Sequence, residues 1–323
     1  MSPPLTRRKS LLLHVLSGVR WTSLGLLGLL SGCGMTLLDP KGDIGAQERS
    51  LIVLALAIML AVVIPVIVLT LWFAWRYRET NTRAAYAPKW AHSTRIEVVV
   101  WGIPCVIVAF LAVLIWRTTH SLDPYKPLQS QAAPVHVEVV AMNWKWLFIY
   151  PDLGVASVNQ LAVPTDTPIS FRLTAHSLMN SFFIPQLGSQ VYAMPGMQTR
   201  LHLIANHAGS YDGMSAAYSG QGFAGMNFKA AAMSRADFDG WVAGARASGE
   251  VLSLANYRKL EAPSVKNAPM TYAKVEKGLF DAIANQYMDM SVDEMAANEL
   301  CGPETPEHPL RLQAARPVSL AGE

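Results

Sequence analysis

Two long apolar runs in the first third of the chain decide most of what it can fold into. Leu51 to Trp75 contains no charged side chain, and Val98 to Trp116 repeats the pattern over a slightly shorter length. At about 1.5 Å per helical residue, a run of roughly 25 residues crosses a hydrocarbon core of about 30 Å with some tilt. Trp72, Trp75 and Trp116 stand at the ends of the runs, where indole rings favour the membrane–water interface. Pro65 and Pro104 fall inside them; spanning helices keep such prolines where neighbouring helices satisfy the freed carbonyls. The sequence therefore predicts a helical hairpin with spans at about 51–75 and 96–116.

The link between the spans carries Arg76, Arg78, Arg83, Lys89 and Arg95 against Glu79. An excess of basic residues marks the cytoplasmic side, so the N-terminus and everything after Arg117 face outward. The N-terminal segment points the same way independently. Arg7, Arg8 and Lys9 precede the apolar stretch Leu24 to Leu30, which ends in Leu30-Ser31-Gly32-Cys33. That ending resembles the lipobox of bacterial lipoproteins. The resemblance implies a signal peptide over 1–32, cleavage before Cys33, and lipidation (diacylglycerol and palmitate) of the Cys33 thiol. The plainer alternative is a cysteine that merely sits at the end of a short apolar helix; as a signal peptide the segment is unusually long and is interrupted by Arg20.

After a proline-punctuated connector, Asp123 to Pro134, the apolar pattern shortens to period two. Val135, Val137 and Val139 alternate with His136 and Glu138; Phe171, Leu173 and Ala175 with Arg172 and Thr174; Leu201, Leu203 and Ala205 with Arg200 and His202. Such alternation, broken by Pro151-Asp152-Leu153-Gly154, Pro195-Gly196 and Asp212-Gly213, predicts half-buried strands packed as a sandwich. Ser234 with Asp237 three residues on is a helix start whose apolar face holds Phe238, Trp241 and Val242. Further helical pieces are expected at about 252–260 and 275–287. The expected organisation is a lipidated N-terminus and hairpin over 33–122, an outer domain over 123–232, a helical segment over 233–297 and a disordered tail over 298–323.

A net charge of +3 and the lack of a basic stripe exclude nucleic acid as a partner. The 3 cysteines, Cys33, Cys105 and Cys301, are too dispersed for a disulfide framework or a metal knuckle; Cys105 is expected to be a buried thiol in the second span.

Two spans followed by a sandwich, with Asn143-Trp144-Lys145-Trp146-Leu147-Phe148-Ile149-Tyr150-Pro151, resemble subunit II of the haem–copper oxidases. The resemblance implies a cupredoxin-like outer domain. In the cytochrome c branch of that family the domain holds a dinuclear copper centre, the CuA site. Its ligands come from a His-Ser-x-x-x-Pro segment and from Cys-x-Glu-x-Cys-x-x-x-His-x-x-Met. Here Asn180 stands at the first histidine, Ser215 and Ser219 at the cysteines, Ala217 at the glutamate and Phe223 at the second histidine. Met226 alone is retained, and hydroxyls are poor substitutes for soft thiolates, so no copper is expected.

The stretches Asn180–Pro185, Met194–Ala205 and Ser215–Phe228 are similar to the quinol-oxidising, cytochrome bo-type branch. This implies a noncatalytic subunit of a terminal ubiquinol oxidase of the bacterial inner membrane. Its partners would be subunits I, III and IV, with the haems and copper B in subunit I, and cytochrome c would not be a partner. Glu97, at the cytoplasmic mouth of the second span, matches the acid proposed as a proton inlet; read from its neighbours alone, it is an interfacial acid paired with Arg95.

No histidine metal site is expected from His176, His202 or His207. Trp144 and Trp146 are expected to pack, and Met288, Met290 and Met295 to be helix or tail composition. The competing functional readings are a membrane-tethered cupredoxin-like binding lipoprotein and, from the same family, a cytochrome c oxidase subunit II.

Overall fold

The computed structural model describes residues 36–84, 90–128 and 130–286. The expected signal peptide over 1–32, Cys33, Cys301, the three C-terminal methionines and the tail over 298–323 lie outside the described residues.

Both apolar runs are continuous helices, α1 (Asp43–Arg76) and α2 (Thr94–Ser121), long and apolar enough to cross a membrane. Pro65 and Pro104 are accommodated inside them. Each helix outruns its apolar run, and for α1 the cause is visible. Its polar first turns dock on the outer domain instead of entering the membrane. Ile44 and Gly45 are buried, the Gly45 amide donates to the Leu187 carbonyl at 3.1 Å, and the Glu48 carboxylate accepts from the Ser189 hydroxyl. Gly42 is required there, because a Cβ would lie 2.3 Å from the Ile204 carbonyl oxygen. Beyond Gly45 no residue of α1 is buried, and none of α2 is. Cys105 is accordingly exposed rather than buried, since the hairpin helices do not cover one another's side chains.

The outer domain is a two-sheet sandwich with helices after it, as the alternating pattern predicts. Its strands are β1 (Val135–Met142), β2 (Lys145–Tyr150), β3 (Val155–Val158), β4 (Gln160–Pro164), β5 (Pro168–Ala175), β6 (Asn180–Phe183), β7 (Val191–Ala193), β8 (Thr199–Ile204), β9 (Gly209–Ser215) and β10 (Asn227–Met233). After them come α3 (Arg235–Ala247), β11 (Val251–Leu252), α4 (Leu254–Glu261), β12 (Met270–Tyr272), β13 (Lys274–Val275) and α5 (Leu279–Ala284). One sheet runs β12-β3-β2-β1-β5-β8 and the other β4-β10-β9-β6-β7. Between them lies an aromatic core. Phe182 stacks on Phe228 with centroids 5.2 Å apart, and Trp146 meets Phe182 edge-on at 5.3 Å.

The middle of the first sheet is buried on both faces where half-burial was expected. Every residue of β2 is buried, as is the second half of β1. A second apolar layer covers the outer face, where Val140, Met142, Leu147 and Ile149 pack against Leu252, Tyr257, Phe280 and Ile283. The segment expected to be helical also supplies β12, antiparallel to β3, to the same sheet. Ser234 caps α3 as predicted, its hydroxyl accepting from the Asp237 amide at 3.2 Å. The last predicted helix is shorter than the expected 275–287: Val275 is in β13, and Gly278, at φ 77°, turns the chain before α5 begins.

Candidate functional site

The six positions that correspond to copper ligands lie at one end of the sandwich, where β6 begins and where the β9–β10 loop folds over the β1–β2 turn. β6 pairs with β9 with Phe182 opposite Ser215, and from there the Ser215 side chain reaches Asn180 at the start of β6. The Ser215 hydroxyl lies 3.0 Å from the Asn180 side-chain oxygen and 3.1 Å from the Ala217 carbonyl, and donates into them. The Asn180 amide group donates to the Leu178 carbonyl at 3.0 Å. Ser219 directs its hydroxyl at the Met226 sulfur, 3.9 Å away. Asn180, Ser215, Ser219 and Met226 are all buried, while Ala217 and Phe223 are half-buried and Phe223 meets Tyr218 edge-on. The structure thus gathers the buried four into a cluster whose polar atoms are satisfied by one another and by nearby carbonyls.

Trp144 closes this end. It occupies the two-residue turn between β1 and β2 at φ 64°, and its ring nitrogen donates to the Ser219 carbonyl at 2.7 Å. Its ring lies against Gly222, where a Cβ would come within 2.2 Å of the indole. Trp146 is fully buried in the aromatic core. Both tryptophans therefore pack, as expected from their sequence context.

The histidines do not converge. His202 is held by the Pro124 carbonyl and the Ser170 hydroxyl, and His207 uses its carbonyl to accept from Tyr211. His176 lies in a separate buried cluster beneath the C-terminal segment, with Nδ1 3.1 Å from the Tyr257 hydroxyl and Nε2 3.8 Å from Glu261. Burial, reinforced by the charge of Lys145, pushes its imidazole down to about 4. Among the described residues no three His, Cys, Asp or Glu side chains come together as a metal cluster.

Glu97 lies in the first turn of α2, about half exposed, with a carboxylate oxygen 3.3 Å from His92 Nδ1. His92, and not Arg95, is its partner in the structure. Residues two apart on a helix point to different faces, whereas His92 precedes the helix cap and folds back.

Two residues that sequence patterns did not single out hold the C-terminal segment. Lys145, a cation inside an otherwise apolar strand, is 2% exposed and donates to the Leu260 and Ala262 carbonyls and the Ser264 hydroxyl at 2.6–2.7 Å. Arg172 joins Glu138 at 2.9 Å to Asp281 at 2.8 Å and lies over the Phe280 ring. The signal for Lys145 was its place in Asn143–Pro151, where a charge has no solvent-facing side to occupy.

Two spans leading into this sandwich define the subunit II class of the terminal oxidases. Residues 153–232 match the family described as cytochrome C oxidase subunit II, periplasmic domain, and residues 246–291 match the COX aromatic rich motif. The periplasmic domain of cytochrome oxidase subunit II from Bradyrhizobium japonicum aligns over 38% of this chain and 99% of its own, at 22% identity and a TM-score of 0.35. Cytochrome bo(3) ubiquinol oxidase subunit 2 of Pseudomonas aeruginosa is 54% identical over 271 residues, 84% of this chain and 82% of that protein. Ubiquinol oxidase subunit 2 of Acetobacter aceti is 53% identical over 83% of this chain and 89% of its own. The chain belongs to the ubiquinol oxidase subunit 2 family.

Proposed function

We propose that this chain is the noncatalytic subunit II of a respiratory complex that couples ubiquinol oxidation and oxygen reduction to proton translocation. Its outer domain faces the periplasm and carries no copper, and electrons pass from quinol to haems and copper B in subunit I without entering it. Subunits III and IV complete the assembly. The chain is held in the inner membrane by its hairpin and by a lipid on Cys33. Glu97 serves as a proton inlet on the cytoplasmic side.

The observation that carries the reading is the donor set at the loop end of the sandwich. Asn180, Ser215, Ser219 and Met226 offer a carboxamide, two hydroxyls and one thioether, already engaged with one another or with neighbouring groups. A copper pair needs bridging thiolates and imidazoles, so these residues do not fit it. The family membership supports a quinol as the electron source.

The test is oxygen uptake by the complex purified in mild detergent, driven by reduced ubiquinol and, separately, by reduced cytochrome c. Uptake with quinol alone is expected. Rapid uptake with cytochrome c would overturn the reading, and a haem-free intact preparation would favour a tethered binding protein.

A further inference from the structure

Ile44 near the start of α1 and Ser121 at the end of α2 line one cleft of about 250 Å³. Ile44 of α1, Leu122 and Leu128 of the connector and Leu201 of β8 give it apolar walls, while Asp123 and Lys126 stand at its polar rim. His202 also lines it, but its two ring nitrogens are held by Pro124 and Ser170. Its height relative to a bilayer follows from the spans. Ser121, another lining residue, is the last residue of α2, and Trp116, about one turn earlier, meets the His120 ring in a tilted contact at 4.5 Å. Tryptophan at the end of a spanning run marks the interface. The cleft therefore opens at headgroup level, about one helical turn of 5.4 Å beyond the apolar run.

The rim carries both signs. Lys126 is exposed and makes no ion pair with another described residue. Asp123 uses one carboxylate oxygen to accept from the Tyr125 amide at 2.9 Å, and its other oxygen has no partner among the described residues. An uncommitted cation beside an uncommitted carboxylate oxygen, above apolar walls, is complementary to an amphiphile that carries a phosphate and an amine.

We propose that this cleft binds the headgroup of an outer-leaflet aminophospholipid, its phosphate on Lys126, its ammonium on Asp123 and its glycerol region against Ile44, Leu122 and Leu201. The proposal rests on the hairpin crossing a membrane and is independent of which electron donor the complex uses. Bound lipid would fix the connector over 121–128 against the sandwich and so set the outer domain's height above the bilayer.

The test is native mass spectrometry of the detergent-purified complex, delipidated and then titrated with short-chain phosphatidylethanolamine, phosphatidylglycerol or free glycerophosphate. Haem content and quinol-driven oxygen uptake are recorded on the same samples, so failure of the oxidase reading shows separately. Lys126→Glu is expected to weaken phosphatidylethanolamine binding about tenfold, the loss that follows from one charge-assisted hydrogen bond. Asp123→Asn should erase the preference for phosphatidylethanolamine over phosphatidylglycerol. Lys126→Gln replaces the glutamate variant if that variant does not assemble. Equal binding by wild type and variants, no lipid bound to wild type, or glycerophosphate binding as tightly as the lipid would each overturn the proposal.

Discussion

Burial acts on the pKa values of His176 and Glu138 in opposite directions, and the consequences for stability oppose each other. His176 is pushed down from 6.5 to about 4, first by burial and then by Lys145. Between those values the folded domain holds it neutral while the unfolded chain would protonate it, so stability falls as pH drops through that window. Glu138 is pushed up from 4.5 to about 7 because burial outweighs the attraction of Arg172, with Asp281 and Asp152 adding to the rise. Here the folded state takes up the proton first, so stability falls as pH rises through the window. Each group contributes on the order of 3 kcal/mol across its range. The ranges overlap between pH 4.5 and 6.5, where the two contributions oppose each other. Glu138→Gln should leave the histidine unopposed and lose stability on acidification, and His176→Gln should do the reverse. Melting curves of the purified full chain from pH 4 to 8 check both signs, and parallel profiles for the two variants would contradict the pairing. Neither shift was legible in the sequence, because each depends on what covers the outer face of the first sheet. The substitutions at Asn180, Ser215 and Ser219 were legible, because they sit at fixed spacing within a recognisable segment.

The covering layer is the element that alternation could not reveal. Period two in β1, β5 and β8 identifies the face turned to the aromatic core, yet β2 is buried throughout, and a strand buried on both faces loses its alternation. The segment responsible is matched by the aromatic rich motif and contributes α4, β12 and α5, short pieces whose local signals are weak compared with those of α1 and α2. Lys145 holds this segment at one end. Its ammonium saturates the Leu260 carbonyl in the last turn of α4, and the Ala262 carbonyl and Ser264 hydroxyl just past it, where a cation is favoured by the exposed carbonyl ends. Burial lowers its pKa, but the neutral amine would forfeit one of these bonds. Lys145→Met keeps the length and apolar stem and strands the Leu260 and Ala262 carbonyls, at a cost of about 1–3 kcal/mol. Limited proteolysis should then cut selectively within 246–286 while the strands of the sandwich stay protected. Uniform cleavage across the outer domain would mean that the segment and the sandwich unfold as one unit.

At the scale of the molecule, the two helices present nearly all of their side chains outward, so their chemistry belongs to lipid and to partner subunits. Two spans outweigh an acyl chain as an anchor, and Cys33→Ala should therefore leave the assembled complex and its quinol-driven oxygen uptake intact; loss of assembly would show that the lipid acts as more than an anchor. Glu97 is the sharper case. It is an acid at the head of a spanning helix, paired with His92 and half exposed in the isolated chain, and its position suits a group that passes protons inward from the cytoplasm. A purely interfacial role predicts that Glu97→Ala costs at most a surface ion pair, a fraction of a kcal/mol and roughly 1 at most, with turnover unchanged. A proton inlet predicts slower oxygen reduction by at least about tenfold, a barrier higher by about 1.4 kcal/mol, with haem content and assembly preserved. Glu97→Asp separates position from charge. It keeps the carboxyl one methylene shorter and should recover part of the rate, whereas an interfacial role would leave all three proteins equal. Oxygen uptake and proton release, measured together in reconstituted vesicles, distinguish these outcomes, and full activity in the alanine variant would return Glu97 to the interface.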